Sequence, residues 1–121
     1  LTDAYATIKL NSKIHNNIYM ILNMVKNAKE SRLVFERILG LAQKSMPALN
    51  LFLIGFIEQS QVVAKAVRSR ELFAKAEPLS LPSGQIQDIA RELVEKLEQN
   101  MLTKPHKQHF ADFLRRILGY I

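Results

Sequence analysis

Two uninterrupted apolar runs constrain this chain more than any other feature. Ile18-Tyr19-Met20-Ile21-Leu22-Asn23-Met24-Val25 carries one strongly polar residue, and Leu51-Phe52-Leu53-Ile54-Gly55-Phe56-Ile57 carries none. A run of this length without alternation is the pattern of a strand covered on both faces, because neither face has to meet water. Between the runs, Val34, Ile38, Leu41 and Ala42 recur at helical spacing from Glu30 to Met46, and Pro47 stops the pattern. Parallel strands cannot be joined by a tight turn and need a crossover of about a dozen residues or more, usually a helix. Strand, helix, strand in this order therefore reads as a βαβ unit, and the expected class is α/β.

Helical patterns flank that unit. Leu1, Tyr5 and Ile8 share a face of a short first helix that ends near Asn11-Ser12-Lys13. Ser60 is placed to cap a helix carrying Val62, Val63, Ala66 and Val67. The stretch from Glu77 to Pro82, with two prolines and two serines, reads as a surface loop. Ile86, Ile89, Ala90, Leu93, Val94 and Leu97 then mark a strongly periodic helix, which Asn100 to Pro105 is expected to break. The expected architecture is two strands with four to five helices, residues 1–100 forming one unit and residues 101–121 a linker and terminal helix. Two strands are too few for an open parallel sheet with helices on both faces, so a larger fold is expected around them. The opening Leu1-Thr2-Asp3-Ala4-Tyr5, which runs straight into apolar spacing, reads as a start inside that fold.

Composition narrows the chemistry. Seventeen Lys and Arg against eleven Asp and Glu give a net charge of +6, which favours anionic partners. Without cysteine there is no disulfide, no thiolate metal site and no thiol nucleophile. The apolar runs are far short of the roughly 20 residues that cross a bilayer.

Several side-chain groups are candidates for function. Phe110, Phe113, Leu114, Ile117, Leu118 and Ile121 fall on one helical stripe, with Lys104, Lys107, Arg115 and Arg116 beside it and Asp112 as the single acid. This is the layout of a helix lying in the headgroup plane of an anionic membrane. Docking of the same stripe on the protein's own core stays open. Lys65, Arg68, Arg70 and Lys75 form a second basic group, readable as a solvated face or a nucleic-acid contact. His106 and His109 have the spacing of a metal pair but lack a third ligand nearby. His15, Asp3, Glu30, Glu36, Glu95 and Glu98 read as solvated, and Glu92 with Lys96 as an i, i+4 ion pair.

Three segments carry a family resemblance. Thr2-Asp3-Ala4-Tyr5-Ala6-Thr7-Ile8-Lys9, then Leu22-Asn23-Met24-Val25 ending one strand, then Gly55-Phe56-Ile57 ending the next, resemble in order and spacing the MinD/ParA family of deviant P-loop ATPases. Ala66-Val67-Arg68-Ser69-Arg70 brings the likeness nearest to its flagellar-number branch, the FlhG (FleN/YlxH) proteins. The likeness covers nearly the whole chain but only the C-terminal half of the family's doubly wound parallel-sheet fold.

The resemblance implies that Asn23 contacts the adenine base, its carboxamide offering both a donor and an acceptor. It implies that Ile57, Glu58 and Gln59 pack beside the base, in a loop that the family writes Gly-x-Ile-Pro-x-Asp. Here Glu58 stands for the Pro and Ser60 for the Asp. No glycine-rich phosphate loop with its Lys and Ser or Thr is present, so ATP or ADP with Mg is expected only in company with a missing N-terminal half, and no catalysis by this chain alone. The implied setting is the bacterial cytoplasm, peripheral on the inner membrane, with a homodimer or strand-exchanged oligomer and an anionic membrane surface as partners. The implied role is control of flagellar number or placement, or of the division site. A ParA-like DNA or plasmid-partitioning ATPase and a stand-alone helical interaction module are the alternatives.

Overall fold

The computed structural model describes residues 2–101. Strands β1 (Asn17–Val25) and β2 (Asn50–Glu58) pair in parallel, from Asn17 against Asn50 to Val25 against Glu58. Their crossover is α2 (Ala28–Ser45). Helix α1 (Thr2–Asn11) precedes β1, while α3 (Gln61–Ser69), α4 (Phe73–Ala76) and α5 (Leu81–Met101) follow β2. The α/β class and the parallel pairing are those the apolar runs imply.

The two faces of the sheet meet different parts of the chain. On one, Ile8 of α1, Ile38 and Ala42 of α2 and Leu51 of β2 form a buried cluster, with Ile18, Met20, Val34, Phe35 and Leu39 packed around it. Burying a side chain such as Ile38 contributes about 2–3 kcal/mol, so this cluster is the main support of the βαβ unit. A hydrogen bond of 2.6 Å between the Tyr5 hydroxyl and Ser45 Oγ ties α1 to the end of α2.

On the other face α5 runs antiparallel to β2. Its Gln85 meets Glu58, its Ile89 meets Gly55, and its Lys96 ammonium lies 5.5 Å above the Phe52 ring. Phe52 in turn stacks on Tyr19 with ring centroids 5.3 Å apart. Lys96 therefore rests on an aromatic face rather than on Glu92, because its position on α5 turns it toward the sheet. An exposed ion pair on this helix joins Arg91 to Asp88 at 3.3 Å.

A bulge in β2 decides why position 55 is glycine. Pairing passes from Met20 against Leu53 to Ile21 against Gly55, so Ile54 has no partner and the alternation of faces slips by one residue. Phe52 and Gly55 thus both face α5. A Cβ at position 55 would stand 2.5 Å from Ile89 Cγ1, so α5 packs this closely only on a residue without a side chain.

Three expectations need correction. β1 is not covered on both faces: α5 packs on β2, and Ile21 keeps 48% of its surface exposed. Pro82 is fully buried in the first turn of α5 rather than in a surface loop, since a helix tolerates proline where no N–H partner exists. Beside it the buried Ser83 hydroxyl donates to the Glu77 carbonyl at 2.6 Å and anchors α4 to α5. Finally, Glu30 is not simply solvated: its carboxylate accepts from the Lys26 N–H, while Asn27 Oδ1 accepts from the Glu30 N–H at 2.9 Å. These reciprocal bonds fix the start of α2.

Candidate functional site

In a parallel sheet the ligand side is the crevice beyond the carboxyl ends of the strands. Here that end is built from the last residues of β1 and β2 and the two short turns that lead into α2 and α3.

Asn23 lies at this end of β1, exposed, with no hydrogen-bond partner for its carboxamide among the described residues. The backbone around it is irregular. Leu22 pairs with Phe56 and Val25 with Glu58, so Asn23 and Met24 together oppose Ile57 alone. Met24 adopts φ 59°, in the left-handed region that a side chain occupies at a cost of about 1–2 kcal/mol. The bulge is what turns the end of β1 from ladder geometry and leaves Asn23 and Met24 in the open. Met24 is 66% exposed, although it lies within an apolar run.

The facing loop is held at both sides. Gln59 N–H donates to the Val25 carbonyl at 2.8 Å, which laces the end of β2 to the end of β1. Glu58 N–H donates to Gln85 Oε1 of α5 at 2.9 Å. Ser60 Oγ accepts from the Val62 N–H at 3.1 Å and caps α3, as its position before the apolar spacing implies. Of the four residues that the resemblance assigns to the base, the structure thus brings Asn23, Ile57, Glu58 and Gln59 to one end of the sheet. Asn23 and Gln59 are exposed, Glu58 is half-buried, and Ile57 is buried, so Ile57 anchors the loop and offers it only backbone.

Gln85 is the contributor that sequence reasoning missed. Proline has no N–H, whereas Glu58 in its place brings one that is partly buried and must be paired. The departure from the family's Gly-x-Ile-Pro pattern was itself the signal that a partner should exist.

What this end can do chemically follows from its donors and acceptors. A free carboxamide beside exposed loop backbone suits the edge of a flat heterocycle. In each of the two helices that start here a cap takes one N–H of the first turn, Asn27 that of Glu30 and Ser60 that of Val62. The strand-to-helix turns contain no glycine: Gly40 lies in α2, Gly55 in β2 and Gly84 in α5. Gly119, together with the stripe of Phe110, Phe113, Leu114, Arg115, Arg116, Ile117, Leu118 and Ile121 and the pair His106 and His109, lies outside the described residues.

The second basic group is on α3 and α4. Lys65, Arg68, Arg70 and Lys75 are all exposed, and Arg70 closes α3 in the left-handed conformation at φ 55°. Lys75 lines an open depression of about 520 Å³ together with Glu71, Leu72 and Ala76, so an acid sits among the cations.

No protein-family model matches the chain. Along its whole length it is 40% identical to the flagellum site-determining protein YlxH of Helicobacter pylori, and it spans 41% of that protein's length. The resemblance to the flagellar branch, carried by the ends of the two strands and the basic helix after them, is borne out by this identity.

Proposed function

We propose that this chain is the C-terminal portion of a MinD/FlhG-type, ATP-dependent switch that associates with a membrane and controls the number or placement of flagella. The observation that carries the proposal is the 40% identity, sustained over all 121 residues, to a flagellum site-determining protein. The arrangement of Asn23 opposite residues 57–59 at the carboxyl ends of adjacent parallel strands supports it.

In this reading the chain supplies the base side of a nucleotide site. Asn23 offers its amide N–H and C=O to a purine edge, and the loop from Ile57 to Gln59 gives backbone groups and a wall. Gln85 and the bond from Gln59 to Val25 keep that wall in register with Asn23. ATP with Mg would supply the phosphate charge whose presence or loss drives the switch, and its phosphates would be held by residues that this chain does not contain. A partner carrying that phosphate side, or a second copy of the protein, completes the site. The chain alone is not catalytic.

Residues 104–121 are the membrane-binding part of the proposal. Four cations near an anionic surface contribute about 1 kcal/mol each, and the stripe from Phe110 to Ile121 adds apolar contact, which gives reversible binding strengthened by dimerisation. The exposed cluster of Lys65, Arg68, Arg70 and Lys75 favours a second reading, a ParA-like protein that holds DNA. Flotation with anionic vesicles, with and without residues 104–121, separates the two. Loss of flotation on deletion is expected. Undiminished flotation after the deletion sinks the tail as the anchor, and salt-sensitive DNA binding with no flotation at all favours the second reading.

A further inference from the structure

We propose that Met24 is a base-contacting residue, its thioether side chain lying on the face of the purine ring whose edge Asn23 reads. The inference rests on the nucleotide reading above and adds to it the face contact that a flat heterocycle needs besides its edge.

The strand register puts the two side chains on one side. Successive residues of a strand alternate between faces, and residues paired across a ladder turn to the same face. Leu22 pairs with Phe56 and Val25 with Glu58, and Phe56 and Glu58, two apart, share a face. Leu22 and Val25 therefore share that face although they stand three apart. The extra residue of the bulge thus leaves Asn23 and Met24 both on the opposite face, the one to which Ile57 turns. In a regular strand a carboxamide and a thioether at successive positions would point apart. Here the bulge brings them together.

Met24 meets two costs at once. Its φ of 59° is one that glycine adopts freely and Asn more readily than other side chains. Its side chain is 66% exposed, so core burial does not offset that cost. The backbone is held in place from the following residues: the Val25 carbonyl accepts from the Gln59 N–H at 2.8 Å, and the Lys26 N–H donates to the Glu30 carboxylate. Strained backbone kept by its surroundings is a mark of ligand clamps and active sites. An exposed apolar side chain is ordinary by itself. One held in a left-handed bulge, beside a carboxamide that has no partner among the described residues, is not.

The chemistry of the side chain fits the role. Hydrogen bonds from Asn23 take up part of a purine edge and leave the ring faces to be covered. Methionine is unbranched, its sulfur is polarisable, and it makes favourable contacts with aromatic rings. Ile57 is buried and has no surface to give to such a contact, whereas Met24 has.

The test uses the intact protein and compares ATP, with Mg, against inorganic tripolyphosphate, which carries phosphate charge without a base. Met24→Gly is expected to bind ATP about three- to ten-fold more weakly, the size of a sulfur–aromatic contact, and to bind tripolyphosphate as the parent does. Its melting temperature should stay close to the parent's, because the strain that glycine relieves and the chain entropy that it adds offset each other. Met24→Leu, apolar and of similar size, should stay within about two-fold of the parent for ATP. In protein isotopically labelled at its methionine methyl groups, the Met24 signal, assigned by its loss in Met24→Leu, should move upfield with ATP and not with tripolyphosphate, as a methyl group above a ring face does. Unchanged ATP affinity in Met24→Gly, or equal losses for ATP and tripolyphosphate, overturns the contact. Asn23→Ala separates this failure from failure of the nucleotide reading. If it weakens ATP binding while Met24→Gly does not, only the Met24 contact is overturned. If neither variant changes ATP affinity, the base reading at this end falls, and the contact with it.

Discussion

Gln85 and Glu58 form a pair that neither residue explains alone. A partly buried N–H without a partner costs about 1–3 kcal/mol, and the Gln85 side chain removes that cost. Gln85→Met should accordingly lower unfolding free energy by about 1 kcal/mol, toward the low end because the site is only part-buried. Glu58→Pro removes the N–H itself, and its N–H does not serve the ladder with β1, so proline is tolerated at this position. In that background Gln85→Met should be close to neutral. Urea melts of the four proteins measure the coupling, and equal losses in both backgrounds would show that Gln85 does not serve the Glu58 N–H. Met24 belongs to the same scale. Its left-handed backbone marks the bulge on β1 itself, and it sits beside Asn23, the residue on which the nucleotide reading depends.

At the scale of elements, the start of α2 shows how local bonds position the site. Asn27 and Glu30 close the first turn of that helix directly after β1, so the turn of Lys26 and Asn27 is fixed next to Asn23. Asn27→Ala should cost about 1 kcal/mol in a thermal or urea melt, as loss of an N-cap does, whereas Asn27→Ser should cost little. An unchanged midpoint for the alanine variant would mean that the cap does not bear on stability. The elements were also where sequence was most readable. The runs 18–25 and 51–57 and the spacing of Val34, Ile38 and Ala42 announced β1, β2 and α2 because burial imposes these patterns directly. Pro82 misled because a proline reads as a breaker wherever it stands, while in the first turn of α5 it costs nothing. The two bulges left no trace, since an apolar run looks the same whether or not its alternation slips at Ile54 or at Met24. Asn23 and residues 57–59 were found by resemblance and not by pattern. An Asn at the end of a strand has no intrinsic signature, and Gln85 was legible only as the answer to a missing proline.

On the scale of the whole molecule, the described part is an α/β layer with opposite characters at its two ends. One end holds Asn23, the irregular Met24 and the laced loop of residues 57–59. The other holds the exposed Leu10 and Ile14 of the connection between α1 and β1. Helix α5 spans the sheet between these ends, touching both Glu58 and Phe52. The sheet of β1 and β2 leaves one edge of each strand unpaired among the described residues, consistent with a protein that works beside further strands. The proposed flagellar role is tested most directly by counting flagella per cell, and recording their positions, by electron microscopy in cells from which this protein has been deleted. A shift in number or placement that the intact protein restores is the expected result. Counts and positions equal to those of the parent cells would contradict it.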